Sequence, residues 1–372
     1  MNNPMIEFNI PPVDRTFVPQ LQDKIDNLNK PKGALGRLES LALQIGLVQH
    51  SLTPQLHHPC HILLGADHGI EREGVSVSPR EVTWQQMENF CRGGGGVNMF
   101  CRQHGFKLFI VDMGVDHDFD PALPIINRKI AYGTQNFLHG PAMTAEQMQQ
   151  AINTGAEMVD RCFEEGCNII CFGEMGIANT SPSSIWMSLF EDIPLERCIG
   201  AGAGLNSKGQ QHKYNILKAA VDNFFQTTGI HPKHLSEEQR NNKVINPYTS
   251  KETELILQWF GGFEILAATG GMLRAAEKGM LFLVDGFIMT AAALASIYLN
   301  NNVKDYAIFT HCGDESGHRM MLDGMGADSL LSLGLRLGEG TGALCAFPLL
   351  VSAVNMVNEM DNFQHANITK YF

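Results

Sequence analysis

The chain has 372 residues, of which 44% are hydrophobic and 18% charged, and this ordinary globular composition excludes a mostly disordered protein. Its formal net charge of -12 argues against nucleic acid and anionic membrane surfaces as partners, because an acidic protein does not attract polyanions.

Two further features concern the cellular compartment. Nine cysteines, an odd number without a C-x-x-C pair, indicate neither a disulfide framework nor a structural zinc site, and they favour a reducing compartment. The sequence MNNPMIEFNIPP has no basic start and no apolar stretch, so we expect no signal peptide there and a cytoplasmic protein.

Apolar helices are predicted near both ends of the chain. ALGRLESLALQIGLVQHSL has leucines, Ile45 and Val48 at helical spacing, and GTGALCAFPLLVSAVNMVNEM is a second apolar helix. We expect residues 1–60 and 335–372 to pack together as a small helical lobe. Residues 61–334 would then form the α/β substrate-binding domain.

Within 61–334, short apolar runs alternate with glycine turns and helices. Five runs have the composition of buried strands: HILLGA (61–66), KLFIVD (107–112), NIICFG (168–173), MLFLVD (280–285) and YAIFTH (306–311). They are continuous rather than alternating, as in strands covered on both faces. The alternation with helices predicts a Rossmann-like α/β fold with a largely parallel sheet, whose ligands bind at the carboxyl ends of the strands.

Three segments carry more specific predictions. Thr144 and Gln147 form a capping-box pattern that begins a helix, and Gly166 can end it. Residues 280–299 are long enough to cross a membrane, but Asp285 and Gly286 interrupt them, so we interpret a strand, a turn and a buried helix, and no membrane span. Residues 206–258 are polar and predict a surface excursion.

The loop after the third predicted strand is the sharpest candidate for chemistry. The sequence GEMGIANTSP leads into a helix that Ser181 can cap, and backbone N–H groups at a helix start form an anion site. The pattern is not a nucleotide-triphosphate P-loop, and an ordinary strand–helix turn remains an alternative. Glu174 suits contact with a base or ribose better than with phosphate.

Other glycine-rich segments are individually weak. CIGAGAGL (198–205) lacks the dinucleotide spacing but allows close backbone approach to a nucleotide, and Lys213 follows it. Four glycines in GGGGVNMF (93–100) indicate either tight backbone packing or a ligand loop. Glu339, between Gly338 and Gly340, has the surroundings of a carboxylate with a raised pKa that acts as a base, or of a helix-start acid.

Taken in order, the motifs resemble one enzyme family over nearly the whole chain. They are KPKGALGRLE (30–39), ADHGIEREGVSVSPREVT, GGGGVNMF, GEMGIANTS, GAGAGL, FEILAATGGM with VDGFI, and LGLRLGEGTGA. This ordered set resembles the nicotinate-nucleotide–dimethylbenzimidazole phosphoribosyltransferases, which transfer phosphoribose from nicotinate mononucleotide to 5,6-dimethylbenzimidazole for the lower nucleotide loop of cobalamin.

The resemblance implies a homodimer that needs no cofactor and no metal, with Glu339 as the catalytic residue. It also implies a set of substrate-binding residues: Glu174, Gly176, Ile177, Ala178, Asn179 and Thr180 of the phosphate loop, Lys213, Gly202 beside the nucleotide, Ser78 and Gln86 on the aromatic base, and Leu337.

Two alternatives stay open from the residues alone. Asp67 and His68 follow one strand, and His311 and His318 follow another, so a metal-dependent hydrolase is a competing interpretation, although the spacing fits no common metal signature. A non-catalytic module that binds nicotinate mononucleotide is the other.

Overall fold

The computed structural model describes residues 7–202, 204–236 and 246–370. In this part of the chain, six strands form one parallel sheet: β1 (Cys60–Ala66), β2 (Lys107–Gly114), β3 (Ile125–Asn127), β4 (Ile169–Met175), β5 (Leu281–Val284) and β6 (Ala307–Phe309). Their spatial order is β3-β2-β1-β4-β5-β6. This is the order of a Rossmann-like doubly wound fold, whose direction reverses between β1 and β4. The predicted fold class is confirmed.

Helices cover both faces of the sheet. The α-helices are α1 (Val18–Asp26), α2 (Arg37–Val48), α3 (Glu81–Cys91), α4 (Gly96–His104), α5 (Ala145–Glu164), α6 (Thr180–Glu191), α7 (Leu195–Cys198), α8 (Ser207–Thr228), α9 (Ser250–Phe260), α10 (Phe263–Glu277), α11 (Phe287–Leu299), α12 (His318–Gly324) and α13 (Thr341–Glu359). Short 3-10 turns lie at Arg15–Phe17, Gly69–Glu73 and Asn301–Tyr306.

All five predicted strands are present, and each differs from its predicted bounds by two residues or fewer at either end. The short edge strand β3 was not predicted, because three residues after Pro124 give too little periodicity to distinguish a strand from a turn. The capping box at Thr144 begins α5 as expected: the Thr144 hydroxyl accepts the Gln147 N–H, and the Gln147 side chain accepts the Thr144 N–H.

The interpretation of 206–258 as a surface excursion needs correction. Residues 207–228 form α8, which buries Lys213, Leu217 and Phe224, and residues 250–260 form α9. The apolar positions of α8 recur at helical spacing, but the glutamines, lysines and histidine between them give the segment a polar average. Residues 237–245 of this stretch lie outside the described residues.

The core lies in two layers, one on each face of the sheet. Alternate side chains of β1 point into different layers: Ile62 and Leu64 face the helices α5, α6, α10 and α11, whereas Leu63 faces α2, α4 and α13. Helices α5 and α10 approach closely because Gly155 has no side chain, and a Cβ there would meet the Ala267 carbonyl oxygen at 1.7 Å.

Both ends of the chain meet on the second face. Helix α2 packs against α13, and Leu28 pairs with Asn362 in an antiparallel bridge. The division into a lobe of 1–60 with 335–372 and a domain of 61–334 stays a prediction.

Two helices are apolar enough to raise the question of a membrane. The segment 280–299 forms β5, a turn and the buried helix α11, as predicted. Within the described residues, one helix, α13, is long and apolar enough to cross a membrane by length and composition, and 61% of its most apolar window is buried inside this fold.

Candidate active site

A cavity of about 370 Å³ opens at the carboxyl ends of β4, β5 and β6. Eleven of the twelve predicted site residues line it: Gln86, Glu174, Gly176, Ile177, Ala178, Asn179, Thr180, Gly202, Lys213, Leu337 and Glu339. Ser78 does not line the cavity, whereas Ser76, two residues earlier, does. The cavity has the size of a typical small-molecule site and lies where a doubly wound sheet binds its ligands.

The predicted anion loop connects β4 to α6 with a strained backbone. Ala178 has φ 74°, the left-handed conformation that disfavours residues with a side chain. Helix α6 begins at Thr180, one residue before the predicted cap Ser181, and in the described chain no side chain caps its first turn. Uncapped N–H groups at a helix start are suited to a phosphate.

Lys213 reaches this loop from α8. Its Nζ donates to the Thr180 hydroxyl at 2.7 Å, and its side chain is almost completely buried. Burial lowers the pKa of Lys213 to about 8, against the opposing attraction of Glu315. A buried ammonium beside an uncapped helix start is a strong point-charge partner for phosphate.

Helix α3 holds the same loop from the opposite side. The Ile177 N–H donates to the hydroxyl of the buried Thr83 at 3.2 Å. Val82 and Gln86 of α3 line the cavity, so one helix contacts both the anion loop and the part of the cavity predicted for the aromatic base.

Glu339 enters the cavity from a loop with three consecutive left-handed residues. Gly338, Glu339 and Gly340 have φ values of 84°, 62° and 81°. Its Oε2 accepts the N–H of Val97 at 3.0 Å, in the first turn of α4. Burial raises the pKa of Glu339 and the nearby Asp285 carboxylate adds to this, while the Val97 N–H opposes the rise.

The four-glycine segment packs tightly and does not line the cavity. A Cβ on Gly94 would lie 2.3 Å from the Asn89 side chain, and one on Gly95 would lie 2.4 Å from Phe90. A Cβ on Gly96 would lie 3.1 Å from Leu337. Of the two interpretations left open for GGGGVNMF, the structure supports close backbone packing, which brings the start of α4 against Glu339.

Glu174 is a second buried carboxyl group in the cavity. Burial raises its pKa to about 8; the Asn179 amide, which donates to it at 2.5 Å, opposes this, and the carboxylates of Glu264, Asp285 and Glu339 add to the rise. A Cβ on Gly338 would lie 2.5 Å from Glu174 Oε1, so this glycine makes room for it. Burial therefore favours the neutral form of Glu174 at neutral pH.

The residues of the metal-hydrolase alternative are engaged in other contacts. His68 lies 2.7 Å from Glu264 in a fully buried pair, and His318 contacts Thr290 and the Gly313 N–H. His311 lies 3.3 Å from Asp285. Throughout 7–202, 204–236 and 246–370, no group of three or more His, Cys, Asp or Glu is arranged to hold a metal ion. The geometry gives this alternative no support.

Asp285 is a cavity residue that the sequence analysis did not assign to the site. Burial acts to raise its pKa, but the contacts with His311 and with the N–H of Ala343 keep the pKa below its usual value. It follows β5 directly, so the rule that ligands bind at the carboxyl ends of strands was sufficient to find it.

Other unassigned residues also line the cavity. They include Val75, Ser76, Val82, Phe287, Ile288, Met289, Glu315 and Arg336. Phe287 to Met289 follow the carboxyl end of β5, as Asp285 does. Arg336 and Glu315 have no local sequence pattern that marks them as site residues.

Comparison with known proteins gives a consistent result. A family model described as "Phosphoribosyltransferase" (DBI_PRT) matches residues 10–368. The chain is 54% identical over 368 residues, 99% of this chain and 100% of the relative, to a protein of Phocaeicola vulgatus named nicotinate-nucleotide–dimethylbenzimidazole phosphoribosyltransferase. A Dechloromonas aromatica protein of the same name is 44% identical over 98% of this chain and 99% of its own length.

Solved structures agree with the sequence relatives. The crystal structure of CobT from Thermus thermophilus superposes with a TM-score of 0.86 at 32% identity, covering 96% of this chain and 100% of that chain. A second structure from that organism, titled as the nicotinate-nucleotide–dimethylbenzimidazole phosphoribosyltransferase, gives a TM-score of 0.85 at 32% identity and the same coverage.

Proposed function

The chain belongs to the nicotinate-nucleotide–dimethylbenzimidazole phosphoribosyltransferase family, and we propose that Glu339 is its catalytic base. The enzyme transfers phosphoribose from nicotinate mononucleotide to 5,6-dimethylbenzimidazole, giving α-ribazole 5'-phosphate and nicotinate in the assembly of the cobalamin nucleotide loop. The residue roles below are our proposal.

The first requirement of this reaction is a fixed sugar donor. The 5'-phosphate binds the uncapped start of α6 and the buried ammonium of Lys213, which together supply N–H donors and a positive charge. Gly202 lies beside the nucleotide, and Gln86 and Leu337 contact the aromatic base. The proposed contact of Ser78 with the aromatic base stays a prediction, since Ser78 does not line the cavity. Ser76 is the serine that does. This fixed geometry aligns the anomeric carbon with the attacking nitrogen.

The second requirement is a proton acceptor. Nicotinate leaves as a neutral ring nitrogen, because nicotinate mononucleotide carries a pyridinium cation, and this departure needs no general acid. The incoming benzimidazole attacks with one nitrogen and loses the proton of the other. Glu339 accepts that proton, a contribution of roughly 10²–10⁴ in rate. Attack opposite the leaving group inverts the anomeric carbon from β to α.

The observation that carries this proposal is the position of Glu339. Its buried carboxylate lines the same cavity as the anion loop and Lys213, although it comes from a loop more than 120 residues later in the chain. The raised pKa strengthens the carboxylate as a base, and the transfer rate should therefore fall at acidic pH as Glu339 becomes protonated.

Replacing the carboxylate tests the role directly. We expect Glu339→Gln to fold, to bind both substrates, and to have a kcat lower by roughly 10²–10⁴-fold, because the amide cannot accept the proton. The measurement is product formation by mass spectrometry with nicotinate mononucleotide and dimethylbenzimidazole. Glu88→Gln, the same change on α3 outside the cavity, is the matched control and should keep the wild-type kcat.

The outcomes separate the competing interpretations. A Glu339→Gln protein with wild-type kcat would contradict the assigned role but leave the transfer reaction intact. Binding without product in the wild type would favour the non-catalytic nucleotide-binding module. The homodimer implied by the family resemblance and the cytoplasmic location expected from the sequence are part of the same proposal.

A further inference from the structure

His61 is a buried histidine beside the active-site loop whose polar atoms are not used elsewhere. It lies inside β1, between Cys60 and Ile62 in an otherwise apolar run, and it is fully buried. The Glu339 carbonyl is in polar contact with the ring, but neither ring nitrogen makes a well-formed hydrogen bond among the described residues. Because a poorly paired buried polar group destabilises a fold, a leucine at this position would be at least as stable.

The ring lies directly beneath the backbone that carries Glu339. A Cβ on Gly340 would lie 2.1 Å from Cε1 of His61, so the glycine backbone rests on the imidazole. A Cβ on Gly173 would lie 2.3 Å from the Glu339 carbonyl oxygen and 2.7 Å from His61 Nε2. The carbonyl and the ring nitrogen therefore border the same small gap above β4.

The loop above His61 needs such support. Three consecutive residues have left-handed φ values, and Glu339 in the middle has a side chain, which makes this conformation unfavourable by itself. The carboxylate of Glu339 is held by the N–H groups of Val97 and Gly96 at the start of α4, and its peptide group has His61 and Gly173 on its inner side. A change in the shape or polarity of the ring would change the direction in which the side chain leaves the loop.

We infer that His61 is a positioning residue for the transfer reaction: its imidazole supports the Gly338–Glu339–Gly340 backbone and aligns the Glu339 carboxylate with the incoming base. Burial keeps the ring neutral, since it lowers the pKa of His61 to about 4 against the attraction of Asp285 and the contact with the Glu339 carbonyl. His61 touches no substrate and acts through Glu339. This inference rests on the proposed role of Glu339.

The test compares stability with catalysis in the full-length protein. We expect His61→Leu to have an unchanged or higher melting temperature, because a poorly paired polar ring is removed, and a kcat at least tenfold lower. The KM values for both substrates should stay within about twofold, since the anion loop and Gln86 are unaltered. A merely structural residue would show the opposite pattern, with lower stability and normal kcat. Ile169→Val, in the same core layer, is the control and should keep the wild-type kcat.

A second variant separates shape from polarity. His61→Gln retains an amide N–H in the position of Nε2 and should recover most of the lost kcat. If His61→Leu fails to fold, His61→Asn, whose shorter side chain leaves the Glu339 peptide without support, decides the question. A kcat at least tenfold lower with near-wild-type KM values supports the inference, and a wild-type kcat overturns it.

A wild-type kcat in His61→Leu would also overturn the inference. A lower kcat accompanied by a lower melting temperature would overturn it as well, because general destabilisation would then explain the lost activity. Glu339→Gln measured alongside distinguishes this failure from failure of the proposed function. If Glu339→Gln loses activity and His61→Leu does not, Glu339 remains the assigned base and only the positioning role of His61 is rejected.

Discussion

At the scale of single residues, the site is built from groups held in unfavourable states. Ala178 and Glu339 have left-handed backbones, and Glu174 and Lys213 are buried ionisable side chains. Each of these costs stability, and together they surround one cavity. Such clustering is expected where function, rather than folding, selects the conformation.

Glu174 makes the stability of the folded protein depend on pH. Its pKa is about 8 in the folded state against 4.5 for a free side chain, so between these values the folded form holds a proton that the unfolded form has lost. Unfolding free energy should therefore fall as pH rises through this window and level off above about 8. Glu174→Gln lacks this dependence.

We expect the melting temperature of Glu174→Gln to exceed that of wild type by an amount that is small near pH 5 and grows up to about pH 8. Thermal unfolding followed by circular dichroism at several pH values measures this difference, with Glu88→Gln as the control. A difference that stays constant between pH 5 and pH 8 would be inconsistent with a protonated Glu174.

The sequence was largely sufficient to predict which residues line the cavity, but not how their side chains and loops are arranged in space. The ordered motifs pointed to eleven residues that line the cavity. Ser76 rather than Ser78 lines the cavity, and the sequence could not distinguish them, because the exact turn of an irregular loop such as 74–80 leaves no periodic pattern. His61 appeared as an ordinary strand residue, since only the contact with Gly340 reveals its position.

At the scale of elements, α3 joins the two parts of the cavity. Its Thr83 hydroxyl accepts the N–H of Ile177 in the anion loop, and its Gln86 lines the cavity one turn later. The loop position is therefore set by a helix that also contacts the region proposed for the aromatic base.

Removing the Thr83 hydroxyl should weaken binding of the sugar donor. Thr83→Val leaves the Ile177 N–H buried without an acceptor, at a cost of about 1–3 kcal/mol, so the KM for nicotinate mononucleotide should rise by roughly 5–150-fold. Thr83→Ser retains the hydroxyl and should restore the wild-type KM. Steady-state kinetics at saturating dimethylbenzimidazole measures both, and a wild-type KM in Thr83→Val would rule out this role of α3.

Element boundaries followed from the sequence where apolar runs were long and buried. The strands β1, β2 and β4 are such runs, whereas β3 has only three residues and α8 has its apolar positions between polar ones. Short length and mixed composition, rather than unusual physics, explain these two errors.

At the scale of the whole molecule, the helices from the two chain ends pack on the sheet face opposite α5 and α10. Helix α13 contacts α2, α4 and β4 and begins at Thr341, two residues after Glu339. Because α13 packs on the same sheet as the rest of the core, we expect the terminal helices and the sheet to unfold together in one transition.

Leu350→Ala on α13 tests this coupling. Loss of a fully buried leucine should cost about 2–5 kcal/mol. Two of the three tryptophans, Trp186 and Trp259, lie in the opposite core layer, and Trp84 packs against the layer of α13. If the layers unfold together, tryptophan fluorescence should show the same lowered melting temperature as circular dichroism. Asn355→Ala, exposed on the same helix, should leave both unchanged. Two separated transitions in Leu350→Ala would show an independently unfolding lobe.

The packing of α2 against α13 has a consequence for how the protein is made on the ribosome. The apolar face formed by Leu41, Ala42 and Ile45 emerges early, whereas its partner Leu350 is translated some three hundred codons later. Until then that face lacks its final cover, and Glu339 has not yet been added. The nascent chain thus acquires its proposed base and the closing layer of its core only after strands β1 to β6 have been translated, and during that interval the uncovered face is open to aggregation or chaperone capture.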